Sequence, residues 1–351
     1  MENLRSRSIS TVRSSDRTAI VIVLLVALQC LVSVRGTTPQ VPAMFVFGDS
    51  LVDDGNNNNL NSLAKGNYYP YGIDFPQGPT GRFCNGRTII DFFCELIGLP
   101  YLPPYADTQG NRTTILNGVN YASAAGGILA ETGQFLGERY SMRDQVLNFE
   151  TTLNDIRSMN PGGNLTHYLG RSIAVLVLGS NDYINNYLLP DLYFSSHNYT
   201  APDYANLLIN SYTRQLMRAT GMAPPGRCVD HVNEIVGHFN NGLRALVQQL
   251  NTNHPGAIFV YGNSYGVLGD ILNNPARYGF TVIDRGCCGI GRNQGEVTCL
   301  PMQVPCLNRN QYVFWDAFHP TQAVNAIIAQ RAFTGPPSDC YPINVQQMAQ
   351  L

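Results

Sequence analysis

Short apolar runs alternate with longer amphipathic stretches along this chain. Ala43-Met-Phe-Val-Phe47 is an unbroken apolar run of strand length that stops at Gly48-Asp49-Ser50, a turn signal. Between Thr88 and Leu99, the positions of Ile89, Phe92, Phe93, Leu96 and Ile97 predict a helix. Asn117–Ala122 reads as a strand followed by Ala124-Ala-Gly-Gly127, and Tyr140–Met159 reads as a helix. Ile173–Leu178 is purely aliphatic, the mark of a strand buried on both faces, and it ends in the turn Gly179-Ser-Asn-Asp182. Helices are predicted over Pro202–Arg218 and Val229–Asn251, a further buried strand over Ala257–Tyr261, and a last helix from near Thr321 through Asn325–Phe333. Residues 53–87 are rich in Asn, Gly, Pro and Tyr and read either as an ordered cover over a site or as a plain surface loop.

Strands alternating with helices predict an α/β fold with a mainly parallel sheet covered by helices on both faces. The polar turns at the C-terminal ends of the strands would then converge on one sheet edge, where such folds bind ligands. One interval breaks the alternation. Two helices and no strand separate the runs at 173–178 and 257–261, although a crossover between neighbouring parallel strands needs only one helix.

Composition narrows the function classes. The 351 residues, 44% apolar and 13% charged, suffice for one large core. A net charge of -2 lacks the basic footprint of a nucleic-acid binder. Arg5, Arg7, Arg13 and Arg17 precede the apolar run Ala19–Val34, so residues 1–36 read as a signal peptide cleaved after Gly36, leaving 37–351 as the mature domain. That run includes Gln29 and falls short of the roughly 20 apolar residues a membrane span requires. No later segment is long and apolar enough to span. Secretion agrees with glycosylation sequons at Asn111, Asn164 and Asn198. It also agrees with the crowding of Cys287, Cys288, Cys299 and Cys306, which lacks the paired spacing of a zinc site and predicts a local disulfide knot of unspecified connectivity.

Candidate chemistry sits at the predicted turns. Asp316 lies three residues before His319, a spacing that on a helical turn brings both to one face. The carboxylate would then fix one ring nitrogen and leave the other free to take a proton. Ser50, at a strand-to-turn junction after Gly48, is a candidate nucleophile. Asn181 could donate its amide to an oxyanion, and Gly126-Gly127 could aim a backbone N–H at the same point. Each also has a structural reading: a solvated Asp with a structural His, a capping Ser, a turn-forming Asn, a turn glycine. A rival nucleophile is Ser264 in Gly262-Asn-Ser-Tyr-Gly266, with Asp284 or Asp316 and then His319 in the chain order of an α/β-hydrolase. Asn273-Asn-Pro275 leaves room for only a short helix after Ser264, which favours Ser50.

Jointly, Phe47-Gly-Asp-Ser-Leu51, Pro79-Thr-Gly-Arg-Phe83, Asn120-Tyr-Ala-Ser-Ala-Ala-Gly-Gly127, Gly286-Cys-Cys-Gly289 and Phe314-Trp-Asp-Ala-Phe-His-Pro-Thr321 resemble the plant GDSL esterase/lipases of the SGNH hydrolase superfamily. The resemblance implies a single flavodoxin-like three-layer α/β/α domain hydrolysing small-molecule or lipid acyl esters outside the cell, in the wall or apoplast, without metal or organic cofactor. It implies Ser50 as nucleophile, His319 as base and Asp316 as its orienting acid, with an oxyanion hole from the Ser50 N–H, the Gly127 N–H and the Asn181 side chain. The chain departs from the family where Met217-Arg-Ala-Thr220 runs straight into Gly221-Met-Ala-Pro-Pro-Gly-Arg-Cys228 without the strand that relatives carry there. Losing an interior strand would leave unpaired backbone groups or a gap of about 9–10 Å, two strand spacings. Two further readings follow: a catalytically impaired or purely binding secreted protein, and an acyltransferase using another alcohol in place of water.

Overall fold

The computed structural model describes residues 39–110, 112–159, 162–219 and 230–351. The expected leader, the sequon residue Asn111 and Cys228 lie outside the described residues.

The first strand, β1 (Met44–Gly48), is central and wholly buried. Strand period places its side chains alternately on two faces. Phe45 and Phe47 enter a core with Val146, Phe149, Tyr204, Phe239 and Leu243. Met44 and Val46 enter a second core with Ile90, Phe93, Val267, Val313 and Val324. Two helical layers follow from this alternation. One comprises α2 (Met142–Met159), α4 (Ala201–Ala219) and α5 (Asp230–Asn253). The other comprises α1 (Ile89–Ile97), α6 (Ser264–Asn273) and α7 (Gln322–Thr334). This is the expected three-layer α/β/α arrangement.

β2 (Gly118–Asn120) and β3 (Ile173–Val177) flank β1, both parallel to it, in the order β2-β1-β3. β5 (Val282–Gly286) and β6 (Tyr312–Phe314) form a separate parallel pair. Helix boundaries follow local chemistry: Thr88 caps α1 and exchanges a capping box with Asp91, and Gly98 closes the helix in the left-handed region. A short α3 (Leu165–Gly170) precedes β3, and α8 (Val345–Ala349) ends the chain.

Two expectations need correction. The run at 257–261 is not a parallel sheet strand. Only β4 (Tyr261–Gly262) is strand, paired antiparallel with β7 (Cys340–Tyr341). The apolar side chains of Phe259 and Tyr261 are buried as their pattern demands. The backbone of Phe259, however, is satisfied by a side chain: its N–H donates to Asn251 Oδ1 at 2.9 Å and its carbonyl accepts from Asn251 Nδ2 at 2.8 Å. β3 is also less enclosed than its aliphatic run predicts. Ile173 and Leu176 are buried, whereas Ala174, Val175 and Val177 are half-buried. Among the described residues no strand pairs with the side of β3 away from β1, which is where the sequence placed the gap.

The segment 53–87 is an ordered cover. Asp53 accepts the N–H groups of Gly55 and Asn56 through Oδ1 and that of Ala124 through Oδ2. Asn56 Nδ2 donates to the carbonyls of Asn120 and Ala122, and Asn57 Nδ2 to that of Ala124. Buried Asp and Asn side chains thus supply the hydrogen bonds that irregular backbone lacks. Cys287–Cys306 and Cys288–Cys299 form the expected local knot, with Cα separations of 5.0 and 5.1 Å.

Candidate active site

Ser50 follows the end of β1, and the Asp49 N–H, donating to Val177 O at 3.1 Å, extends the β1–β3 ladder by one residue beneath it. Gly48 is required by close approach: a Cβ there would stand 2.2 Å from Val52 Cγ2. Gln145, reaching from α2, grips this strand end from both sides. Its Oε1 accepts the Gly48 N–H at 2.9 Å, and its Nε2 donates to Gly48 O at 2.8 Å.

Asp316 and His319 come from the turn after β6. The sequence expected them on a helical turn. They lie instead in an Asx-type turn, where Asp316 Oδ1 accepts the N–H groups of Phe318 and His319, both at 2.9 Å. The Trp315 N–H closes the turn by donating to His319 O at 2.8 Å, and α7 starts only at Gln322. The i, i+3 proximity survives because a tight turn folds the side chain back as a helix would. His319 Nδ1 lies 2.8 and 3.0 Å from the two Asp316 oxygens, and His319 Nε2 lies 2.8 Å from Ser50 Oγ.

Asp316 is fully buried, which by itself would raise its pKa. The neighbouring His319, the Tyr71 hydroxyl and the turn N–H groups outweigh burial and hold the carboxyl below the usual carboxylate range. Tyr71 OH donates to Asp316 Oδ2 at 2.6 Å. Nothing in the sequence pattern ties Tyr71 to a carboxylate 245 positions away. Phe83 lies against the His319 ring, with centroids 5.3 Å apart. Phe318 is half exposed beside it, whereas Tyr183 is buried among Tyr204, Tyr187 and Phe239 as packing.

The third constellation faces the same sheet edge. Asn181 is buried, and its Nδ2 donates to Gly126 O at 3.0 Å. Asp182 binds the loop beside it, accepting the N–H groups of Ile128 at 2.8 Å and Leu129 at 3.0 Å and the Thr132 hydroxyl at 2.8 Å. Burial pushes its carboxyl up to about 6, against these donors. A Cβ on Gly127 would stand 2.4 Å from Thr132 Cγ2 and 2.8 Å from Asp182 Oδ1, so only glycine fits. Among the described residues neither the Ser50 N–H nor the Gly127 N–H has a hydrogen-bond acceptor, leaving both donors free.

Asp49 lies below these groups. Its Oδ1 accepts the Leu51 N–H at 3.0 Å, its Oδ2 has no partner among the described residues, and burial pushes the carboxyl up to about 7. Cys84 lines the small recess by Ser50 and His319; burial pushes its thiol up to about 12, so it stays protonated. Ser264 is elsewhere: it begins α6, after Asn263 whose side chain caps that helix, and the strand before it is the antiparallel β4. No group of His, Cys, Asp and Glu suited to a metal ion occurs among the described residues. Likewise no helix among them is long and apolar enough to cross a membrane.

The family profile described as GDSL-like Lipase/Acylhydrolase matches residues 44–332. The chain is 59% identical to the Arabidopsis thaliana protein GDSL esterase/lipase At1g71250 over 338 aligned positions, covering 89% of this chain and 90% of the relative. It is 54% identical to GDSL esterase/lipase At5g08460 of the same plant over 343 positions, covering 90% and 89%. In the first alignment, 89% of 351 residues is about 312, so that relative carries about 26 residues with no counterpart here. From matched residues, fold and site geometry together, the chain belongs to the GDSL-like lipase/acylhydrolase family of ester hydrolases.

Proposed function

We propose that this protein is a secreted serine esterase that hydrolyses acyl esters through a Ser50–His319–Asp316 triad and an acyl-enzyme. The observation that carries the reading is the 2.8 Å contact between His319 Nε2 and Ser50 Oγ while His319 Nδ1 rests on Asp316. Asp316, ionised and buried, fixes the tautomer with the proton on Nδ1, so Nε2 is the free base. Nε2 takes the hydroxyl proton as Ser50 Oγ attacks the ester carbonyl. The developing oxyanion accepts hydrogen bonds from the Ser50 N–H, the Gly127 N–H and the second Asn181 Nδ2 hydrogen. His319 returns its proton to the departing alcohol. Water, deprotonated by the same nitrogen, then attacks the acyl-enzyme and releases the acid and Ser50.

Secretion rests on the leader read in the sequence, on the two disulfides, and on the exposure of Asn164 and Asn198 within their sequons. A second reading, a secreted protein of impaired activity, is favoured by the side of β3 away from β1, which no strand among the described residues pairs, and by the residues that the first relative carries without a counterpart here.

The test compares wild type, Ser50→Ala and Ser264→Ala on a short-chain chromogenic ester, using protein purified from the medium. Loss in Ser50→Ala alone supports the triad. Loss in Ser264→Ala alone overturns it. A folded but inert wild type supports the impaired reading.

A further inference from the structure

The amide of Asn181 has two ends, and donation to an oxyanion requires the nitrogen end to face the site. The oxygen end is held by one residue: Asn185 Nδ2 donates to Asn181 Oδ1 at 2.7 Å, while Asn181 Nδ2 donates to Gly126 O at 3.0 Å. With the Asn181 amide reversed, two NH2 groups would face each other and two carbonyls would face each other, losing both hydrogen bonds. Asn185 is set in place by an unusual local backbone. Residues Tyr183–Tyr187 form a π-helical turn in which Asn185 has non-helical angles (φ -114°, ψ 21°). Such turns carry one extra residue and recur at functional sites. From this turn Asn185 reaches back four residues to Asn181. The turn is in turn fastened to the loop beyond Gly127. The Gly133 N–H donates to Asn185 O at 3.3 Å, and Asn186 Nδ2 donates to Thr132 Oγ1 at 3.1 Å.

We propose that Asn185 is a positioning residue for the reaction: it orients the Asn181 amide so that Nδ2 faces the forming oxyanion. This rests on the reading that Asn181 is an oxyanion donor. Asn185 is half-buried and has no bond to Ser50, His319 or Asp316, so its effect on rate runs through Asn181.

The experiment is a mutant cycle on the full chain with a chromogenic butyrate ester: Asn181→Ala, Asn185→Ala, Asn185→Asp and Asn181→Ala/Asn185→Ala, each with its melting temperature. Removing one oxyanion donor costs about 100- to 1000-fold in kcat. Freeing its orientation should cost less, roughly ten-fold in kcat for Asn185→Ala, with KM little changed. Asn185→Asp keeps the shape but only accepts. It should draw Asn181 Nδ2 away from the site and cost more than Asn185→Ala. Added to Asn181→Ala, Asn185→Ala should have no further effect on kcat. An unchanged kcat in Asn185→Ala and Asn185→Asp overturns the proposal, as does full additivity in the double variant. A loss of kcat matched by a collapse of melting temperature in both Asn185 variants also overturns it, since that is a folding role. If Asn181→Ala itself leaves kcat unchanged, the underlying oxyanion reading has failed, and the Asn185 proposal with it.

Discussion

Replacing Tyr71 with Phe would remove one hydroxyl and leave the ring in place. The ring packs edge-on against Tyr68, Phe83 and Trp315 at centroid distances of 5.3, 5.8 and 6.2 Å, and Phe preserves all three contacts. What is lost is the 2.6 Å hydrogen bond to Asp316 Oδ2. Because the acceptor is a buried carboxylate, the bond belongs to the charged class, worth about 1.5–3 kcal/mol. Asp316 retains His319 Nδ1 and two backbone N–H groups, so the charge is not orphaned and the lower half of that range applies. The pH dependence has a definite sign. The folded-state pKa of Asp316 is depressed, so its stabilisation is present above the ordinary carboxylate pKa and is lost as pH falls through the folded value. Removing Tyr71 OH raises the folded value towards normal. The gap between wild type and variant should therefore be full at pH 7 and should narrow below about pH 4. Urea unfolding followed by fluorescence at several pH values measures it, with the slope m checked for constancy. A gap under 0.5 kcal/mol at pH 7, or one that widens on acidification, refutes the account of how Asp316 is kept ionised.

Gly127→Ala should lower kcat by at least ten-fold with its circular dichroism intact, because the new methyl would displace Thr132 or Asp182 and move the free N–H; unaltered kinetics would remove Gly127 from the site. Asp49→Asn should flatten the fall in melting temperature as pH rises from about 4 to 7. In that window the folded carboxyl, pushed up to about 7, keeps a proton that the unfolded chain has lost, so rising pH penalises the fold. Reducing Cys287–Cys306 and Cys288–Cys299, which close loops of 19 and 11 residues, should cost about 3 kcal/mol each and appear as a lower melting temperature in reductant.

The resemblance and the local patterns carried much of this protein. Periodicity located β1, the two long helices before and after residue 220, and the apolar cores they form, because burial of alternate or helically spaced side chains is written in neighbouring residues. Short motifs nominated Ser50, Gly127, Asn181, Asp316 and His319, and the order of predicted elements marked the interval between 178 and 257 that breaks the alternation. The tertiary structure decided what depends on distant partners. Asn251 satisfies the backbone of Phe259, so an apolar run that reads as a sheet strand is not one. Asp316 and His319 share a tight turn and not a helix, since Asp316 captures the turn's own N–H groups. Tyr71, Gln145 and Asp182 reach the site's loops across separations that no local pattern encodes. A sequence records which side chains prefer burial and which turns are short. Which buried polar groups satisfy one another is settled only when the chain closes, because each unpaired donor or acceptor costs free energy that only a particular distant partner removes.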